Sequence, residues 1–278
     1  MNEVEKFNQY LENEFNLLIR REFNVVINDL KQLEEENIND INDSIKNNKT
    51  LFTNYTELVL YTDDNDSKIG DYLKYDYVTL YGILGEAYFQ RGMYDESLKA
   101  LDRAIKMSPT NILLIQRKMF ALKNLDLFDE LEKMIFKTFK FCYTKDALIN
   151  QYTFLANVFE KKKMYKEASY ILYLMSVSFG EYEKFLPDLN KLETLANKRL
   201  ECPEYNELMN FVKEYNIMTP YDLSTYYLSF YEELMKNEDK SGALDFLKCS
   251  NSVCYDKKNI KLIKKLTKTI EKEKKKAA

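Results

Sequence analysis

The chain has 278 residues, with 41 Lys and Arg against 45 Asp and Glu and a formal net charge of −4, a length that fits one extended domain or two compact ones. Six Gly and four Pro are too few for the turns of a sandwich or barrel, while Leu, Glu, Lys and Tyr abound, so the composition predicts an almost entirely α-helical chain. Histidine is absent, which excludes Ser-His-Asp and Cys-His catalysis and every His-ligated metal centre; carboxylate or lysine chemistry stays formally open.

The opening residues, MNEVEKFNQYLENEF, carry acids where a secretory signal has basic and then apolar residues. No later run approaches the roughly 18 apolar residues of a membrane span, so a soluble, cytoplasmic protein is expected. Val4, Phe7, Leu11, Phe15 and Leu18, then Ile19, Phe23, Val26, Leu30 and Leu33, trace one long amphipathic helix that the Asn and Asp cluster NINDINDS is expected to end. A second helix is expected over about Leu51 to Tyr61. Three readings of this N-terminal region, residues 1–69, stay open: worn repeats, a capping pair, or a face for self-association. The stretch DDNDSKIG matches a calcium loop only in part. Starting from Asp63, Asn65 and Ser67 fall at coordinating positions, but Lys68 replaces the turn glycine and Lys74 the bidentate glutamate, so a solvated turn is expected.

Residues 78–111 read VTLYGILGEAYFQRGMYDESLKALDRAIKMSPTN. Leu80, Leu84, Ala87 and Tyr88, then Leu98, Leu101, Ala104 and Ile105, mark two helical periods separated by the turn RGMYD. Gly85 and Ala87 are small where two helices must approach, Gly92 frees the backbone at the end of the first helix, and Pro109 stops the second. Tyr81, Leu84, Gly85, Tyr88, Ser97, Leu101, Ala104 and Pro109 resemble the pattern of the tetratricopeptide repeat, with Tyr for the usual Trp, Ser for Ala and Leu for Phe. One such hairpin cannot bury its apolar face alone, so neighbours are expected. Leu155, Ala156, Phe159, Tyr165, Glu167, Ala168 and Leu172 place a further unit at about 149–182. Between the two, residues 112–148 carry a degenerate unit whose helices meet near Leu125 to Phe128.

The repeats thus cover 70–182, and degenerate hairpins continue over 183–256. There YEKFLPDLNKLETLANKRL and PEYNELMNFVKEYNI are expected to pair, and Thr219, Pro220 and Asp222 signal the start of the next helix. Residues 257–278 hold ten Lys and two Glu, a local charge of +8, leaving −12 on the rest. Ile260, Ile263, Leu266 and Ile270 form an apolar stripe in this tail, as in a capping helix with its lysines in water. Nucleic acid and an anionic membrane are the other readings of the tail, and the acidic body opposes both. The 22 tyrosines are expected as core filler, because Tyr81, Tyr88 and Tyr94 fall at packing positions. Cys142, Cys202, Cys249 and Cys254 form no CxxC pair, so reduced, mostly buried thiols and no metal are expected, and no glycine-rich phosphate loop or other cofactor motif is present.

The resemblance implies an all-α, right-handed solenoid of antiparallel helix pairs with an N-terminal helical cap, acting as a non-enzymatic scaffold for a protein or peptide. Regulatory or chaperone subunit of a larger assembly, and nucleic-acid factor through the tail, are the alternatives. It further implies a concave groove lined by the first helix of each unit: Thr79, Gly82, Glu86, Phe89 and Gln90; Gln116, Phe120, Lys123 and Asn124; Asn150, Thr153, Asn157, Glu160 and Lys161. Amides there suit a ligand backbone, and Phe89 and Phe120 suit apolar anchors. The family's clamp for acidic chaperone tails is not expected, because its positions hold Gly82, Glu86, Arg117, Asn150 and Phe154. Gly82 costs roughly 1 kcal/mol relative to Ala in mid-helix, which implies that a helix or a ligand comes close.

Overall fold

The computed structural model describes residues 2–65, 71–180 and 182–277. Ser67 and Lys68 of the partial calcium-loop match lie outside them. Among the described residues the chain is all-α: fourteen α-helices, one 3-10 turn and a single parallel bridge between Thr50 and Tyr72. It divides into two compact units, Met1–Leu127 and Phe128–Ala278.

The first unit begins with α1 (Glu3–Ile19) and α2 (Phe23–Lys46). Asn2 and Glu5 form a capping box, each side chain accepting from the other's backbone N–H at 2.9 Å. The single long helix expected here is instead a hairpin. Arg21 takes φ 65° while the N–H groups of Arg21 and Glu22 return to Leu18 and Leu17 at 3.0 Å, which satisfies orphan carbonyls and reverses the chain. Periodicity missed the break because Leu11 on one helix and Val26 and Leu30 on the other face the same core. Nor does NINDINDS end the helix. It lies inside α2, where Ile41 is fully buried and Asn37 donates to the Leu33 carbonyl at 2.8 Å.

Next comes α3 (Tyr55–Asn65), later than expected. Asn54 sets its start by accepting the Glu57 N–H at 2.9 Å, while Glu57 accepts the Thr53 N–H at 3.0 Å. The repeat hairpin follows as α4 (Tyr77–Gln90) and α5 (Tyr94–Met107), with α6 (Ile112–Asn124) packed on α5. Gly85 and Leu101 set the α4–α5 approach: a Cβ on Gly85 would lie 2.7 Å from Leu101 Cγ. Ser97 Oγ donates to the Gly85 carbonyl at 2.7 Å, and Gly92 turns the chain at φ 74°. The α1–α2 hairpin packs on α4 as a preceding unit would. Its carboxylates meet the repeat's tyrosines: Tyr77 donates to Asp40 at 2.6 Å, Tyr81 donates to Glu34 at 3.0 Å, and Arg103 pairs with the same Glu34. Burial and these acids hold the Tyr77 and Tyr81 hydroxyls well above the usual phenol range.

The second unit holds α7 (Phe128–Thr138), the 3-10 turn (Phe139–Phe141), α8 (Lys145–Lys161), α9 (Tyr165–Phe179), α10 (Tyr182–Ala196), α11 (Tyr205–Glu214), α12 (Pro220–Lys236), α13 (Lys240–Val253) and α14 (Lys257–Ala277). The hairpin α8–α9 falls where a further unit was expected, at 149–182. The helices expected to pair, α10 and α11, both pack on α9 instead. The long connection between them, containing Pro203, is anchored by the Tyr173 hydroxyl on the Leu200 carbonyl at 3.2 Å, and Phe211 meets Tyr170 edge-on at 5.3 Å. The start signals of α12 act as expected, Thr219 and Asp222 forming a capping box with Pro220 in the first turn. Two fully buried tyrosines make tertiary bonds here: Tyr227 of α12 donates to the Lys140 carbonyl of the 3-10 turn at 3.0 Å, and Tyr152 of α8 donates to the carbonyl of Met218, just before α12, at 2.7 Å.

At the C-terminal end, Leu266 of α14 is buried against Ala243 and Leu244 of α13, with Ile263 and Ile270 beside it. Lys258, Lys261, Lys265, Lys268 and Lys272 are exposed and follow at three- and four-residue steps, so they share one face. None of the five pairs with a carboxylate among the described residues.

Candidate functional site: the α4–α6 surface

Within the first unit, α4 and α6 bring the expected positions together around a residue that the sequence reading placed only in the missing clamp. Arg117 pairs with Glu86 at 2.5 Å, and its guanidinium carbon lies 5.4 Å from the Phe89 ring centre and 5.8 Å from that of Phe120. The two rings meet edge-on at 6.5 Å, and Tyr94 backs Phe89 at 5.3 Å. A guanidinium over aromatic faces is favourable by about 0.5–1 kcal/mol when partly exposed, so the cluster holds its shape without a ligand. Arg117 had a sequence signal: it stands three residues before Phe120 and so shares its helix face.

Gly82 is explained by packing. A Cβ there would lie 3.1 Å from Leu114 Cδ2, so the missing side chain admits α6.

The amides stand differently from the expectation. Gln116 is buried, at 4% exposure, and is corrected from a groove-facing residue to a packed one. Its neighbours explain this: Ile115 and Met119 are also buried, so the core-facing sector of α6 is wide enough to include position 116. Gln90 donates to Glu86 at 2.7 Å, and Asn124 donates to the Phe120 carbonyl at 2.8 Å, so both are exposed but already bonded within their helices. Lys123 is half-buried.

In the second unit, α8 carries the remaining positions. Asn150 is half-buried, Thr153 is exposed, and Asn157 donates to the Thr153 carbonyl at 2.5 Å. Glu160 pairs with Lys191 at 2.6 Å, and the Lys161 ammonium lies 5.2 Å from the Phe128 ring centre. The internal bond of Asn157 uses one of its two N–H donors, which leaves the other donor and the carbonyl oxygen for a ligand backbone.

Of the four cysteines, all free, Cys142 and Cys249 are buried, whereas Cys254 is half-buried and Cys202 exposed. The expectation of mostly buried thiols therefore holds for two. Among the described residues no group of three or more Cys, Asp or Glu is placed to hold a metal ion, and no helix is long and apolar enough to cross a membrane.

These features define a helical-hairpin protein with a repeat in its first unit. Residues 78–111, which are α4, α5 and the turns flanking α5, match the family model described as Tetratricopeptide repeat, and the all-α hairpin architecture on both sides agrees with a tetratricopeptide-type helical repeat protein. No curated protein and no solved structure matches the chain.

Proposed function

We propose that the chain is a non-enzymatic cytoplasmic scaffold whose α4–α6 surface binds a peptide segment of a protein partner. The observation that carries the reading is the Phe89–Arg117–Phe120 cluster, two half-buried rings held on neighbouring helices by a shared guanidinium. Rigid aromatic and Arg side chains are the usual anchors of an interface, because they bury much area for little lost freedom. An apolar residue of the partner fits the exposed ring edges, and a carboxylate beside it fits Lys123. Tetratricopeptide repeats serve generally in protein–protein interaction, which favours a protein over a small substrate. Glu86, already holding Arg117, opposes the carboxylate of an acidic chaperone tail. Functionally the chain then divides into an N-terminal helical cap (1–69), the repeats (70–182), the degenerate hairpins (183–256) and the Lys-rich capping helix (257–278).

The test identifies partners by capture from the native host and mass spectrometry, then measures the affinity of the segment that binds. A Phe120→Ala, Lys123→Ala variant is expected to lose about tenfold or more in affinity with little change in melting temperature. Gln116 is left intact because it is buried. The control is Lys99→Ala, Lys106→Ala, both exposed on α5; Asp102 is unsuitable because it pairs with Lys118 at 2.5 Å. Loss of binding in the control with retention in the α4–α6 variant would place the partner elsewhere and sink the reading.

A further inference from the structure

A cleft of about 450 Å³ opens in the first unit between α1, α2 and the segment entering α4. Aromatic rings line it: Phe7 and Tyr75 lie 5.0 Å apart, tilted by 41°, with Tyr10 one turn along α1. Three carboxylates, Glu3, Asp29 and Glu36, also line it, and they are unequally satisfied. Glu3 accepts from the Tyr75 hydroxyl at 3.1 Å and from Lys74 at 3.5 Å, and the same Lys74 ammonium lies 4.6 Å from the Tyr75 ring centre, so Glu3 and Tyr75 are already engaged. Glu36 accepts one bond, from Gln32 at 2.9 Å. Asp29 has no hydrogen-bond donor or cation partner among the described residues. Lys6 lies at the rim, exposed.

A further carboxylate lies one turn beyond Tyr10, outside the lining of the cleft. Glu14, the next residue along that face of α1, is only 3% exposed, and its Oε2 has no hydrogen-bond partner. Burial, and then the charge of Asp29, push its carboxyl up to about 7. Burial, then Glu14, Asp29 and Glu36, push the Tyr10 hydroxyl up to about 12. Asp29 and Glu36 thus bring negative charge to the cleft, with Lys6 exposed beside them and no fixed countercharge on Asp29.

We propose that this cleft binds an organic cation, an alkylammonium or guanidinium group, beside the rings of Phe7 and Tyr10 with its charge against Asp29 and Glu36. Ring faces attract such a cation, and the carboxylates supply the charge. A hard metal ion is the wrong guest, because it needs several close oxygens converging on one point. The cation is either a free polyamine or a Lys or Arg side chain of a partner. The site uses other helices than the α4–α6 surface, so the two readings stand or fall separately.

The experiment titrates the full chain, labelled with nitrogen-15, at low salt with spermidine and, separately, with the blocked peptide acetyl-Gly-Lys-Gly-amide. Saturable shifts confined to α1, α2 and residues 71–77 are expected from at least one probe, and which one binds assigns the source. The N-acetyl-lysine peptide is expected to give none. Asp29→Asn is expected to weaken binding about tenfold, and Glu36→Gln, exposed and safe for folding, about threefold. Shifts from neither probe, shifts centred elsewhere, or unchanged affinity in both variants would overturn the proposal.

Discussion

Gly82 and Gly85 lie one turn apart on α4, yet alanine should act oppositely at the two. At Gly85 the new Cβ would meet Leu101 Cγ at 2.7 Å and Cδ2 at 2.9 Å, a collision with the branch point of a buried side chain that has nowhere to turn. Gly85→Ala should therefore destabilise the first unit by about 1–3 kcal/mol. At Gly82 the nearest atom is one terminal methyl of Leu114 at 3.1 Å, which can move, while alanine recovers roughly 1 kcal/mol of helix propensity. Gly82→Ala should leave stability unchanged or raise it, and urea unfolding of both variants checks the contrast. Glu14 gives a residue-scale pH effect. Its ordinary value is 4.5 and its folded value about 7. Between those values the folded chain keeps a proton that the unfolded chain releases. The contribution of Glu14 is thus fully present below about pH 4.5 and is lost as pH rises through 7. Midpoints measured at pH 5 and pH 8 should differ more in the native chain than in Glu14→Gln, and equal differences would contradict the assignment.

At the scale of elements, α14 is the clearest case of a helix whose two faces do different things. Deleting 257–278 uncovers Ala243 and Leu244 of α13 and the partly buried Tyr231, Leu234 and Met235 of α12. The melting temperature should fall, and Leu266→Ala alone should cost about 2 kcal/mol. An unchanged melt on deletion would mean that the apolar stripe does not hold the helix in place. This stripe was legible because Ile260, Ile263, Leu266 and Ile270 are the main apolar residues in a run of lysines. The α1–α2 turn was not legible, and the reason is general: Arg20, Arg21 and Glu22 lack Gly, Asn or Pro, and a left-handed Arg leaves no mark in the sequence. The turn at Lys163 is of the same kind, a left-handed Lys flanked by Lys162 and Met164 with no Gly, Asn or Pro beside it. The pairing of α10 and α11 failed because helical pattern reports an apolar face without saying which neighbour receives it.

For the molecule as a whole, the repeat at 78–111 carried the architecture, since its small residues and terminating proline specify a close hairpin that must be stacked. The site was legible in part. Family geometry named Phe89 and Phe120, whose rings the structure brings together, whereas Gln116 is packed because one position of helical rotation separates it from the partly exposed Arg117 beside it. The cleft between α1 and α2 could not be read at all, because it depends on a hairpin that the pattern had merged into one helix.

The unpaired lysines of α14 bear on how the protein behaves in bulk. The chain is formally acidic, with a net charge of −4 and a pI near 5.3, and by that number it should pass through a cation-exchange resin at neutral pH. A resin senses the local face presented to it, however, and Lys258, Lys261, Lys265, Lys268 and Lys272 offer five charges within a helix length of about 21 Å. The protein should be retained on sulfonate beads at about 20 mM salt and released as screening shortens the reach of each charge. Replacing Lys261, Lys265, Lys268 and Lys272 with Gln, all exposed and clear of the buried stripe, should send it into the flow-through while its melting temperature stays the same. Flow-through of the native chain would mean that the acidic body, not this face, governs what charged surfaces the protein meets.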